Sequence, residues 1–118
     1  MKLELRKNMY YRTYSGSINK ITSIKDFNER EYLLNGFYVN KDTIKKASYN
    51  IIDILEVGDY VNGQRIYYDE ELDFLYVQSF DGDGEFYQES ITKQSFIDNI
   101  KSVITHEQME QMAYKVGE

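Results

Sequence analysis

Arg65 and Tyr67 stand two residues apart in the stretch GDYVNGQRIYY, residues 58–68. A guanidinium offers a planar fork of donors that matches phosphate, and tyrosine offers a flat stacking face with a hydrogen-bonding tip. Alternate residues of a strand share one face. Together the pair suits a nucleotide or an unpaired base better than a duplex. Similar residues recur at Tyr10, Tyr11, Arg12 and Tyr14, and again at Phe86 and Tyr87. From this set Tyr11, Arg12, Arg65, Tyr67 and Phe86 are the candidate ligand-binding residues. The competing explanation is structural: tyrosine is a strand former, and tyrosines facing solvent or a neighbouring subunit need no ligand. Tyr68 faces the other way from Tyr67, toward the core or a neighbour.

Other chemistries find less support. His106-Glu107-Gln108-Met109-Glu110 approaches the zinc helix H-E-x-x-H, but the second imidazole is replaced by Glu110, and the chain has one histidine and no cysteine. A zinc site would rest on a single imidazole, so no metal is expected. Asp81, Asp83 and Glu85 alternate as carboxylates do in calcium loops, but Phe86 and Thr92 occupy the positions where an EF-hand requires Gly and Glu. A solvated acidic turn is the better reading. No G-x-S-x-G, P-loop or G-x-G-x-x-G is present, and His106 has no evident serine partner. The expectation is a protein that is not an enzyme and carries no cofactor.

The elements that must position these residues are mostly strands. The 118 residues suffice for one domain, 1–118, with a packed core. Twelve tyrosines and six phenylalanines against no proline favour β-structure. Residues 9–14 read as a first strand, Ser15-Gly16 as a turn and residues 17–25 as a bulged strand. Asn35-Gly36 and Asn62-Gly63 each separate two β-prone runs, which predicts type I′ hairpins. A short strand is expected over residues 43–47, and a single helical turn near 51–55 capped by Asn50. Residues 72–80 alternate but stay apolar on both faces, as a central strand does. DGDGEFYQES supplies a turn and an outgoing strand, followed by a brief helical turn and a strand at about 100–104. Thr105-x-x-Gln108 is a capping box that opens a helix near 106–114, with Met109, Met112 and Ala113 as its apolar stripe and Gly117 as its stop. The predicted fold is α+β, mostly β: a small antiparallel β-barrel-like or strongly curved sheet. YRTYSGSI, residues 11–18, weakly resembles YVNGQRI, residues 60–66, to an extent that chance explains as well as duplication.

The absence of cysteine fits a reducing cytoplasm, and no window reaches a membrane-spanning run of apolar residues. The net charge of −6 disfavours duplex DNA as a partner and leaves basic protein surfaces open.

YYRTYSGSINKI, KKASYNIIDILEVGDYVNG and IKSVITHEQMEQMAYKV together resemble a family of small phage and prophage proteins of Gram-positive, clostridial-type bacteria, over residues 9–116. Among phage proteins of this size, the chain is also similar to the Thoeris anti-defence sponges. That similarity implies a β-rich homo-oligomer in the cytoplasm of an infected bacterial host. It also implies sequestration of a cyclic nucleotide or ADP-ribose-type immune signal without hydrolysis. No sponge residue maps onto a particular position here. The alternative is an acidic, nucleic-acid-mimicking inhibitor of a host defence nuclease, anti-CRISPR in manner, with Asp69, Glu70, Glu71, Asp73, Asp81, Asp83 and Glu85 as its charge.

Overall fold

Frequent turn residues keep the strands short. The computed structural model describes residues 4–116, with side chains as far as Met112. The strands gather into two compact units, Met1–Ile54 and Leu55–Glu118.

In the first unit, β1 (Tyr10–Thr13) lies between β2 (Ile18–Lys20) and β6 (Ile44–Ser48), and β4 (Glu31–Leu34) lies between β3 (Ile24–Asp26) and β5 (Phe37–Asn40). Both sheets are antiparallel. Leu5, Tyr11, Ile21, Leu34 and Ile44 form the buried apolar cluster, with Met9, Tyr32 and Val39 packed against it. A 3-10 turn at Lys41–Thr43 leads into β6, and the helical turn expected near 51–55 is a second 3-10 turn over Ile51–Ile54, where Asn50 Oδ1 accepts from the Ile52 N–H at 3.3 Å.

In the second unit, β7 (Tyr60–Val61) lies between β8 (Gln64–Arg65) and β12 (Val103–Ile104), and β10 (Phe74–Phe80) lies between β9 (Tyr67–Asp69) and β11 (Phe86–Ser90). Helix α1 (Gln94–Asp98) precedes β12, and α2 (His106–Val116) follows it. The capping box is complete. The Gln108 N–H donates to Thr105 Oγ1 at 3.3 Å, and the Thr105 N–H donates to Gln108 Oε1 at 3.0 Å. The expected stop at Gly117 and the side chain of Ala113 lie outside the described residues. Leu55, Val61, Ile66, Val77, Ile91 and Phe96 are buried.

An antiparallel, mostly β chain with two Asn-Gly hairpins is therefore what forms. The barrel-like closure is not: the described strands make four open three-stranded sheets. Strands of two to seven residues carry too few ladder hydrogen bonds to wrap a continuous wall.

The two hairpin asparagines carry more than their turns. Asn35 and Asn62 both sit at φ +52, followed by Gly36 at +85 and Gly63 at +80, as a type I′ turn requires. Asn35 Oδ1 accepts from the N–H groups of Thr22 and Ser23, and its Nδ2 donates to Lys20 O at 2.8 Å. Asn62 Oδ1 accepts from the N–H groups of Lys101 and Ser102, and its Nδ2 donates to Asn99 O at 2.8 Å. Each amide thus clamps a separate segment just before its strand joins the hairpin. This explains why residues 17–25 form two strands and not one: the Thr22 and Ser23 donors are taken by a side chain and cannot continue a ladder.

Candidate functional site

β10 has two different faces. Val77 points inward and is fully buried, while Phe74, Tyr76, Gln78 and Phe80 alternate on the other side. Antiparallel pairing sets Tyr67 beside Tyr76 and Phe86 beside Phe80 on that same outer face. The rings touch in two groups on this face, separated by Gln78. Tyr67 stacks on Tyr76 with centroids 5.7 Å apart, Phe74 lies 5.7 Å from Tyr76, and Phe80 lies 4.7 Å from Phe86. The Arg65 guanidinium sits 5.3 Å from the centroid of Tyr67. Phe80 and Phe86 remain 64% and 61% exposed, far more than core phenylalanines. The result is an aromatic platform with one cation seated at its edge.

Three of the five candidates belong to this platform: Arg65, Tyr67 and Phe86. Tyr67 and Phe86 share the face but stand four positions apart along β10, roughly 13 Å at strand spacing. Tyr11 and Arg12 belong to the first unit and not to this platform, and both are buried, at 6% and 0% exposure. β1 is covered on both faces at its centre, so Tyr11 and Arg12 are both interior although they point opposite ways. Tyr11 joins the apolar cluster, and Arg12 Nη1 donates to Ile54 O at 3.0 Å, holding the end of the 3-10 turn. Burial raises the Tyr11 pKa above the ordinary tyrosine value, and its hydrogen bond to Asn19 opposes this only in part. Tyr68 does face away from Tyr67, but it is exposed and not in a core. Its hydroxyl donates to Asp73 Oδ1 at 2.5 Å. That bond, with some burial and the charges of Asp73, Glu70 and Asp69, raises its pKa as well.

The sequence reading missed Phe74, Tyr76 and Phe80 as members. Their alternation was visible, but an apolar stripe in a central strand reads as core until the opposite face is known to be the buried one.

Acidic turns lie at both ends of the platform. In the β9–β10 turn, Asp69 Oδ1 accepts from the N–H groups of Glu71 and Leu72. In the β10–β11 turn, Asp81 Oδ1 accepts from those of Asp83 and Glu85, both at 2.9 Å. Asp69 and Asp81 are thereby turn builders. Glu70, Glu71, Asp83 and Glu85 are exposed. The second unit carries fourteen Asp and Glu against four Lys and Arg, a net −10, and the first carries six against ten, a net +4.

His106 has partners that its neighbours in sequence did not reveal. Its Nε2 lies 2.7 Å from Glu56 Oε1 and 3.5 Å from Glu107 Oε1. The fully buried Asp59 accepts from the Glu56 N–H at 2.7 Å and the His106 N–H at 2.9 Å, so one carboxylate fixes both backbones. Gly58, at φ +91, lies against the imidazole: a Cβ there would meet His106 Cβ at 3.3 Å.

In the first unit, a cavity of about 740 Å³ is lined by Tyr14, Tyr32, Lys41 and Lys45 together with Glu4, Asp26, Glu29 and Asp42. Lys41 is engaged there, 2.7 Å from Asp26 and 4.6 Å from the centroid of the Tyr32 ring. No described helix is long and apolar enough to cross a membrane.

Comparison of the chain with protein-family models, curated proteins and solved structures gave no match.

Proposed function

We propose that this chain is a binding protein that captures a basic protein partner on the aromatic platform of its second unit, without catalysis. The observation that carries the reading is the platform's setting: exposed rings on β10 and β11, with exposed carboxylates in the turns at both ends. Arg65 stacked over Tyr67 is an internal example of the contact a partner's arginines would make with the remaining rings. In the phage setting that the family resemblance implies, such a partner would be the basic channel of a host defence nuclease, inhibited by occupation. Rings contribute contact area, and the acidic turns contribute attraction and orientation.

A second reading, sequestration of a cyclic nucleotide signal by a homo-oligomer, is favoured by two observations. Arg65 beside Tyr67 could meet a phosphate while a base stacks on the platform. The first unit's cavity also falls within the size range of small-molecule sites. It ranks second because a net −10 unit opposes a phosphate ligand, and the cavity lining has four carboxylates for two lysines.

Fluorescence anisotropy with labelled deca-arginine, deca-lysine and cyclic dinucleotides separates the readings. The first expects deca-arginine to bind more tightly than deca-lysine. It also expects Phe80→Ser with Phe86→Ser to weaken binding about tenfold at unchanged charge, since an exposed cation–π contact is worth about 0.5–1 kcal/mol per ring. Equal binding of both peptides, insensitive to the two rings, would reduce the interaction to net charge and overturn the reading. Binding of the cyclic dinucleotides alone would establish the second.

A further inference from the structure

We propose that Glu56, His106 and Glu107 form a site for a first-row divalent cation, of which Zn²⁺ is the natural probe. One ligand atom from each of the three residues lies within 4.8 Å of the others. These donors come from two segments about fifty residues apart, one before β7 and the other at the start of α2, so the cluster is not a local run of acids.

Charge balance points the same way. The Glu56 and Glu107 side chains are only 15% and 13% exposed, and His106 is 30% exposed. Two carboxylates held this far from solvent favour a cation close to both. A divalent cation offsets both and takes the neutral imidazole as its nitrogen ligand. Binding therefore releases whatever proton the imidazole and the two carboxylates hold. The positive end of α2 opposes a cation here, but its effect of up to about half a charge is outweighed by two carboxylates, with Glu110 a further 3.8 Å from His106 Nδ1.

The donor set selects the class of ion. One imidazole nitrogen and two carboxylate oxygens suit Zn²⁺ and its neighbours, whereas Mg²⁺ and Ca²⁺ favour all-oxygen shells of six or more. Three protein donors leave further coordination positions for water or for a group from a partner. Glu56 and His106 are already positioned, because buried Asp59 accepts from both of their backbone N–H groups. Gly58 leaves the imidazole the room that a side chain would take.

The test uses the full chain without a histidine tag, stripped by EDTA and titrated with Zn²⁺, Co²⁺ and Mg²⁺. His106 is the single histidine, so its two carbon-bound ring protons give NMR signals that no other histidine can confuse. The expected result is 1:1 saturation by Zn²⁺, a rise in Tm, and broadening of the His106 signal by Co²⁺, with little response to Mg²⁺. Glu56→Gln and Glu107→Gln should each weaken Zn²⁺ binding about tenfold or more, and Glu110→Gln should leave it nearly unchanged. A His106 signal unmoved by excess Zn²⁺ in the wild-type protein overturns the proposal without recourse to any variant. Zn²⁺ binding that survives both Gln substitutions does so too.

Discussion

Asp59→Ala is the substitution for which the structure sets the largest cost at a polar position of the second unit. The Asp59 side chain is fully buried and accepts from the Glu56 N–H at 2.7 Å and the His106 N–H at 2.9 Å. A hydrogen bond to a charged group contributes about 1.5–3 kcal/mol, so losing two removes about 3–6 kcal/mol. The lost carboxylate also stood at the start of α2, where a negative charge contributes about 0.3–1 kcal/mol. Water entering the vacated space recovers part of this, leaving an expected loss of about 3–5 kcal/mol, a large share of the 5–15 kcal/mol typical of whole domains. The corresponding fall in Tm is roughly 10–20 °C for a chain of this length. Asp59→Asn retains one carbonyl acceptor and should cost about half as much. Urea unfolding followed by far-UV circular dichroism measures both. If Asp59→Ala falls within about 1 kcal/mol of wild type, the carboxylate does not join these segments as argued, and the preorganisation of the Glu56–His106 pair fails with it.

Arg12→Ala should destabilise by about 2–4 kcal/mol, because it leaves the Ile54 carbonyl without this donor and empties a buried site; binding to the platform, assayed by peptide anisotropy, should change only in proportion to unfolding. Thr105→Ala removes the hydroxyl half of the capping box and should cost about 1 kcal/mol in chemical denaturation. Gly63→Val should cost more than about 1 kcal/mol although the space around Gly63 is open, since φ +80 strains a β-branched residue whatever its surroundings. The raised pKa of Tyr11 makes the folded state hold its proton longer than the unfolded chain does, so stability should fall as pH rises past the ordinary tyrosine value toward the folded one. Ultraviolet titration of tyrosinate beside thermal melts would detect this, and a Tyr11→Phe variant should lose that part of the alkaline dependence.

Local chemistry was legible in the sequence. Both Asn-Gly turns, the Asn50-capped turn and the Thr105–Gln108 box could be read because each is decided by residues within four positions of one another. What long-range packing decides was not legible. Tyr11 and Arg12 looked like one half of a binding surface, but β1 is covered on both sides, and no strand declares that by its own composition. An arginine at 0% exposure is rare enough that its type argued for the surface. Conversely, Phe74, Tyr76 and Phe80 looked like core because half of β10 had to be. Glu56 could not be paired with His106 from spacing alone, since fifty residues separate them. The missing second histidine argued against that one helical motif only, because spacing along the chain says nothing of side chains that the fold brings together.

The doubled use of Asn-Gly also bears on how this protein ages. With no side chain on the following glycine, its backbone nitrogen can approach the asparagine amide closely, which is the route to deamidation. Asn35 and Asn62 meet that condition in sequence, yet both ends of each amide are engaged, the oxygen by backbone N–H groups and the nitrogen by a carbonyl. Folding therefore shields the two bonds that an unfolded chain would lose first. Once hydrolysed, a carboxylate would face the carbonyls of Lys20 or Asn99 where a donor had stood, and the segment it clamped would be repelled. The lifetime of each unit is thus tied to a single side-chain amide, and chemical damage there would make further damage easier by loosening the structure that had prevented it.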